Sequence, residues 1–184
     1  MAHRQRKTIR WQHWDYGWDA AYFITICTKD RVHYFGEVVD GDMELSPLGV
    51  LADVFWYEAR HHAKNMILDS FVVMPNHIHG ILILKNNDDI ATVGTRHALS
   101  RQSRRSSETI GQQRFQNPGK NTVSSIIGSY KSAVTKHAHR LGYDFAWQSR
   151  FHDHVIRDER AFRNIANYIA NNPAKWQADR FRPS

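Results

Sequence analysis

His77-Ile78-His79 places two imidazoles two positions apart in an apolar, β-branched stretch. Side chains alternate faces along a strand, so both rings share one face while Ile78 points to the other, toward a core. Two residues of rise set their backbones roughly 6.6 Å apart, a spacing from which two imidazoles can converge on one metal ion. A second group lies near the end of the chain, in Asn164-Ile165-Ala166-Asn167-Tyr168-Ile169-Ala170-Asn171-Asn172-Pro173. Tyr168 and Asn172 are four apart and share a helix face, which also carries Asn164 and Asn171. Four asparagines around a tyrosine at the end of a helix are more than a core stripe requires. Composition alone favours a solvated helix end with Asn172 as its C-cap.

The histidine spacing alone is weak. With 12 His in 184 residues, chance gives about 0.8 His-x-His pairs, and three occur: His77/His79, His137/His139 and His152/His154. The His137 pair falls on a helix, where positions i and i+2 diverge. The other two fall on strands, where a pair can be structural, solvated or metal-bound. Tyr130 also sits on a helix in the C-terminal half, and Ile126, Ile127 and Val134 around it read as core.

Positioning these groups requires the following elements. Tyr22 to Thr28 (YFITICT) reads as a strand, with Val32 to Val39 as its partner and Asp40-Gly41-Asp42 as a turn. Ser46 caps a helix with Pro47 at its first position, running to about His62 on Leu48, Leu51, Ala52, Phe55 and Ala59. Ile67 to Met74 and His77 to Leu84 form a hairpin across Pro75-Asn76. Thr122 to Arg140 is a helix with Val123, Ile126, Ile127, Tyr130 and Val134 on one face. Phe145 to Trp147 and His152 to Ile156 read as short strands. Asp158 begins a last helix, apolar at Phe162, Ile165, Ala166 and Ile169, which Pro173 ends. Hairpin-paired strands with helices between them imply an α+β fold, an antiparallel sheet with packed helices of ferredoxin-like or RRM-like type.

From Lys85 to about Lys120 the periodicity disappears. The stretch is rich in Ser, Arg, Asn and Gln, with seven basic and three acidic residues and Phe115 as its one aromatic. It reads as a flexible loop inside one domain, or as a basic loop that orders on DNA. Arg4, Arg6, Lys7 and Arg10 precede Trp11, Trp14, Tyr16 and Trp18. These residues suit a basic arm with stacking rings, or a terminus ordered by packing its aromatics.

Lys and Arg number 25 against 18 Asp and Glu, a net charge of +7 with a pI near 9.7. Such an excess attracts polyanions. A lone Cys27 excludes an internal disulfide and a Cys-rich zinc site. Mean hydropathy is −0.60, and the apolar runs Phe71 to Met74 and Ile81 to Leu84 fall short of the roughly 20 residues of a membrane helix. No apolar signal core follows Met1-Ala2-His3-Arg4. The expectation is a soluble intracellular protein with no membrane contact.

Phe71 to Gly80 (FVVMPNHIHG) resembles the "HUH" strand (His, hydrophobic, His) of the single-tyrosine HUH transposases. Trp147 to Arg157 (WQSRFHDHVIR), followed by Tyr168 to Pro173 (YIANNP), is similar to the C-terminal half of the REP-associated tyrosine transposase branch, and Tyr22 to Thr28 matches its first strand. The resemblance spans residues 20 to 176, and the 85–120 stretch has no matching motif. It implies a fold of HUH endonuclease type, with an arm at 1–20, one domain at 21–176 and a tail at 177–184.

The resemblance further implies that His77 and His79 hold a divalent cation, Mg²⁺ or Mn²⁺, with Asn172 as a third ligand. Tyr168 would attack phosphorus to give a 5′-phosphotyrosine link. Asp153 and His154 would orient the site from behind the ligands, or simply form a core or edge-strand pair. The implied partner is single-stranded DNA bearing a hairpin, met through Arg4, Arg6, Lys7, Arg10, Arg101, Arg104 and Arg105 by their phosphate contacts. A homodimer, and a cytoplasmic, nucleoid-associated location in a prokaryote, belong to the same expectation. Two alternatives stay open: a non-catalytic RRM-like nucleic-acid-binding module, and a metal-dependent nuclease that uses water.

Overall fold

A computed structural model describes residues 20–61, 63, 65–85 and 122–182. The arm arginines and lysine at 4, 6, 7 and 10, and Arg101, Arg104 and Arg105, lie outside the described residues. Ala20–Cys27 (β1) is central to a four-stranded antiparallel sheet. Met66–Met74 (β4) and His77–Leu84 (β5) form the expected hairpin across Pro75-Asn76, and His152–Ile156 (β6) closes the order β4-β5-β1-β6. Gly36–Val39 (β2) and Asp42–Leu45 (β3) make a separate hairpin. The helices are Pro47–Glu58 (α1), Val123–Arg140 (α2) and Glu159–Ala170 (α3).

The expected partnership of Val32–Val39 with the first strand does not form. Both sides of β1 are taken, by β5 and by β6. Asp40 and Gly41 adopt φ of 51° and 90°, the left-handed pair that a tight two-residue hairpin turn demands. The chain therefore pairs β2 with the adjacent β3. Phe145–Trp147 makes only one bridge, Thr28 with Trp147. Its aromatic content serves packing instead: Phe145 lies against Tyr34, Phe35 and Trp147.

The pleat decides which side chains reach which layer. Tyr22, Ile24 and Ile26 of β1 and Ile78, Leu82 and Leu84 of β5 are buried in the main core with Leu48, Ala52 and Trp56 of α1 and Ile126, Ile127, Tyr130 and Val134 of α2. Trp56 can lie on β5 because Gly80 has no side chain; a Cβ there would sit 2.4 Å from the indole. The opposite sheet face carries α3, through Ile81, Ile156 and Ile169 with Phe23, Phe162 and Ile165. The sheet is thus sandwiched between α1 with α2 on one face and α3 on the other. Asp158 caps α3 by accepting from the Ala161 amide at 2.7 Å. Among the described residues, no helix is long and apolar enough to cross a membrane.

Candidate active site

The strand register brings His77 opposite Cys27 and His79 opposite Thr25. Residues directly opposite share a face, so both imidazoles lie on the α3 side of the sheet. Each is fully buried, and each commits its Nδ1 to the protein. His77 Nδ1 meets Asn76 Oδ1 at 2.9 Å. The amide of Asn76 is oriented by its other end, since Nδ2 donates to the carbonyls of Phe181 at 2.8 Å and Arg31 at 3.2 Å. Oδ1 can only accept, so His77 carries its proton on Nδ1 and Nε2 is left as a lone pair. That Nε2 is buried with no hydrogen-bond partner among the described residues. An orphaned buried acceptor costs about 1–3 kcal/mol, a cost a bound cation would offset.

His79 Nδ1 pairs with the buried Thr25 hydroxyl at 2.8 Å, and its Nε2 meets the Tyr168 hydroxyl at 3.3 Å. Burial and then the charge of Arg180 push the His79 pKa down to about 3, opposed by a hydrogen bond to the Ile24 backbone and helped to a smaller extent by the charge of Arg31. Burial and the neighbouring His79, Arg31 and Arg180 likewise drive His77 well below the usual imidazole range. Both rings are therefore neutral at pH 7, the form that ligates metals.

Tyr168 projects from the last turn of α3 across this face. The residue is 37% exposed, and its ring edge contacts His79 and Phe23. Burial and the Asp179 carboxylate raise its phenol above the usual range, while a hydrogen bond from Asn172 and the charge of Arg180 pull it down. Asn172 is buried just past the end of α3 and opens the 3₁₀ segment Pro173–Ala178. Its Nδ2 donates to Asp179 Oδ2 at 3.2 Å, and its Oδ1 is buried without a partner among the described residues. Asp179 Oδ1 accepts from the Phe181 amide at 2.6 Å. His77, His79 and Asp179 each offer a ligand atom, all within 4.8 Å of one another.

The structure thus brings together His77, His79, Tyr168 and Asn172 from the sequence. It separates Asp153 from His154. His154 pairs with Phe23 and shares the face of His79, but is exposed; Asp153 pairs with Ile24, which faces α1 and α2. Tyr130 is buried against Trp56 and donates to the Ala52 carbonyl at 2.8 Å, in the core on the far side of the sheet. Asp179, Phe181, Asn76, Thr25 and Arg31 were not legible as site residues. Asn76 stood out only as a turn residue. Asp179 and Phe181 fall in the stretch expected to be a tail, where no periodicity or spacing distinguishes them. The pairing of Thr25 with His79 needs the strand register.

No family model matches the chain. It is 34% identical over 175 residues to an uncharacterized protein of Haemophilus influenzae, an alignment covering 95% of this chain and 91% of that one. The solved structure of a REP-associated tyrosine transposase bound to a REP hairpin matches with a TM-score of 0.54 and 18% identity, over 96% of this chain and 74% of the other.

Proposed function

We propose, for a chain that belongs to one family with the Haemophilus influenzae protein and has the fold of the REP-associated tyrosine transposases, that it is a metal-dependent transposase acting on hairpin-bearing single-stranded DNA. Cleavage and rejoining would run through Tyr168. What supports this most is the 3.3 Å approach of the Tyr168 hydroxyl to His79 Nε2, where His77 and Asp179 present their own ligand atoms.

The donor set fits a divalent cation. His77 and His79 would hold it through Nε2 and Asp179 through a carboxylate oxygen. Two imidazoles with one carboxylate favour Mn²⁺ over Mg²⁺. Asn172 keeps Asp179 in place through Nδ2 and has an uncommitted buried oxygen to offer. When bound, the cation supplies positive charge that polarises a phosphoryl oxygen and offsets charge in an in-line displacement.

Tyr168 supplies the nucleophile. Its oxygen bonds to phosphorus as the bond to the 3′ oxygen breaks, leaving the 5′ phosphate on the tyrosine and a free 3′-OH on the departing strand. The phenolic proton departs and the leaving oxygen gains one. A phenol is protonated at neutral pH, and burial and Asp179 raise its pKa further, so the proton must leave as the bond to phosphorus forms. The ester link conserves the bond, so an incoming 3′-OH can reverse the step without a nucleotide cofactor.

A denaturing gel tests the proposal. Wild type with Mn²⁺ is expected to give a covalent protein–DNA band on single-stranded, hairpin-bearing DNA, abolished by EDTA and by Tyr168→Phe. Free cleaved ends that persist in Tyr168→Phe would point to a water-using nuclease instead. Retarded but intact DNA would point to a binding module.

A further inference from the structure

The chain leaves β1 through a tight turn, Lys29–Arg31, in which Asp30 and Arg31 have φ of 53° and 59°. Two consecutive non-glycine residues in the left-handed region are strained, and such strain persists where the surroundings fix it and function uses it. The turn is fixed from both ends. The Thr28 hydroxyl donates to the Val32 carbonyl at 2.8 Å and lies 3.0 Å from that of Asn76, while Asn76 Nδ2 donates to the Arg31 carbonyl. Asn76 is also the residue that sets the tautomer of His77. One amide therefore registers the Arg31 backbone and the metal-facing imidazole together.

The Arg31 side chain turns back toward the site. Its guanidinium lies 4.3 Å from the centroid of Phe181, and that ring sits 4.6 Å from His77 and 5.6 Å from His79. Arg180 lies over the same ring at 4.6 Å. Arg31 Nη1 is buried and has no hydrogen-bond partner among the described residues. A guanidinium offers five donors in a planar fork matched to phosphate. Leaving one of them dry and unmade is costly in the free protein, and a phosphate oxygen arriving there would satisfy it.

We infer that Arg31 is a phosphate-binding residue of this site, taking a nonbridging oxygen of the DNA strand beside the two histidines. The inference rests on the proposed function for the identity of the anion, a DNA phosphodiester. It assigns Arg31 to holding the strand in place, with Arg180 as the exposed cation next to it.

The test uses the full chain in a Tyr168→Phe background, with Mn²⁺ and fluorescein-labelled oligo(dT), read by anisotropy across a salt series. Arg31→Gln is expected to weaken binding about tenfold and to lower the log–log salt slope by about 0.7, the value for one phosphate contact on a single strand. Arg31→Lys is expected to keep the slope. The melting temperature of Arg31→Gln is expected to stay close to that of the parent and to rise on adding Mn²⁺, as it does for an intact fold and site. Unchanged affinity and slope in Arg31→Gln would overturn the inference. So would a fall in melting temperature with the slope intact, which would make Arg31 a structural stack on Phe181. Adduct formation by the chain with Tyr168 and Arg31 intact is assayed alongside. If that fails while the slope still drops, the transposase proposal falls and the phosphate site stands.

Discussion

At the residue scale, Nδ1 of each buried imidazole is held by the protein, while Nε2 faces the site, met by the Tyr168 hydroxyl in His79 and unpartnered among the described residues in His77. Asn76 and Thr25 do the holding. Partners of this kind change metal affinity by about 10–100-fold when removed. Asn76→Ala is therefore expected to weaken Mn²⁺ binding at least tenfold by calorimetry, and Asp179→Asn, which removes the carboxylate of the proposed ligand set, by at least as much. Unchanged Mn²⁺ affinity in Asp179→Asn would remove Asp179 from the ligand set. The depressed imidazole pKa values also carry a stability consequence. Unfolded histidine binds a proton as pH falls below about 6.5, whereas His79 stays neutral in the folded chain until about 3. The unfolded state thus binds more protons in that window, and stability falls with falling pH. With EDTA present, urea denaturation is expected to show a loss of about 1.4 kcal/mol per pH unit for each such imidazole below pH 6.5, and a shallower loss in His79→Gln.

At the scale of elements, the periodic segments were legible because burial imposes periodicity. The α1 cap at Ser46, the α2 apolar face, the β4–β5 hairpin and the Asp158 cap all follow from local rules and all form. What failed was pairing and strand identity. Val32–Val39 carries no mark of which strand it joins, and Asp42–Leu45 is too short and polar to stand out. The aromatics of Phe145–Trp147 fit packing as well as pairing. Register is the level at which the sheet builds the site, and Gly80 shows how tightly it is set. Gly80→Ala would drive a Cβ to 2.4 Å from the Trp56 ring. Overpacking of this kind costs about 1–3 kcal/mol, so a corresponding loss in urea denaturation is expected. Asp158→Ala is expected to cost about 1 kcal/mol through loss of the α3 cap.

At the scale of the whole molecule, the site joins the Tyr168 hydroxyl to an imidazole 89 positions earlier. No spacing rule predicts that meeting. The resemblance to HUH transposases supplied it, and the fold explains it, since β5 presents both histidines to the face that α3 covers. Asp179 escaped both routes, because it comes into reach only when the 3₁₀ segment after α3 turns the chain back over the histidines. The net charge of +7 belongs to this scale too. Single-strand affinity is expected to fall steeply between low and moderate salt, and a flat salt response would deny the charge a role in DNA binding.

The central claim, that Tyr168 is the group that joins to DNA, is most directly tested by mass spectrometry of the cross-linked product. Wild type is incubated with Mn²⁺ and hairpin-bearing single-stranded DNA, then digested with protease and nuclease. The peptide carrying a 5′-linked nucleotide is expected to contain Tyr168. A nucleotide on Tyr130 or any other residue would contradict the account.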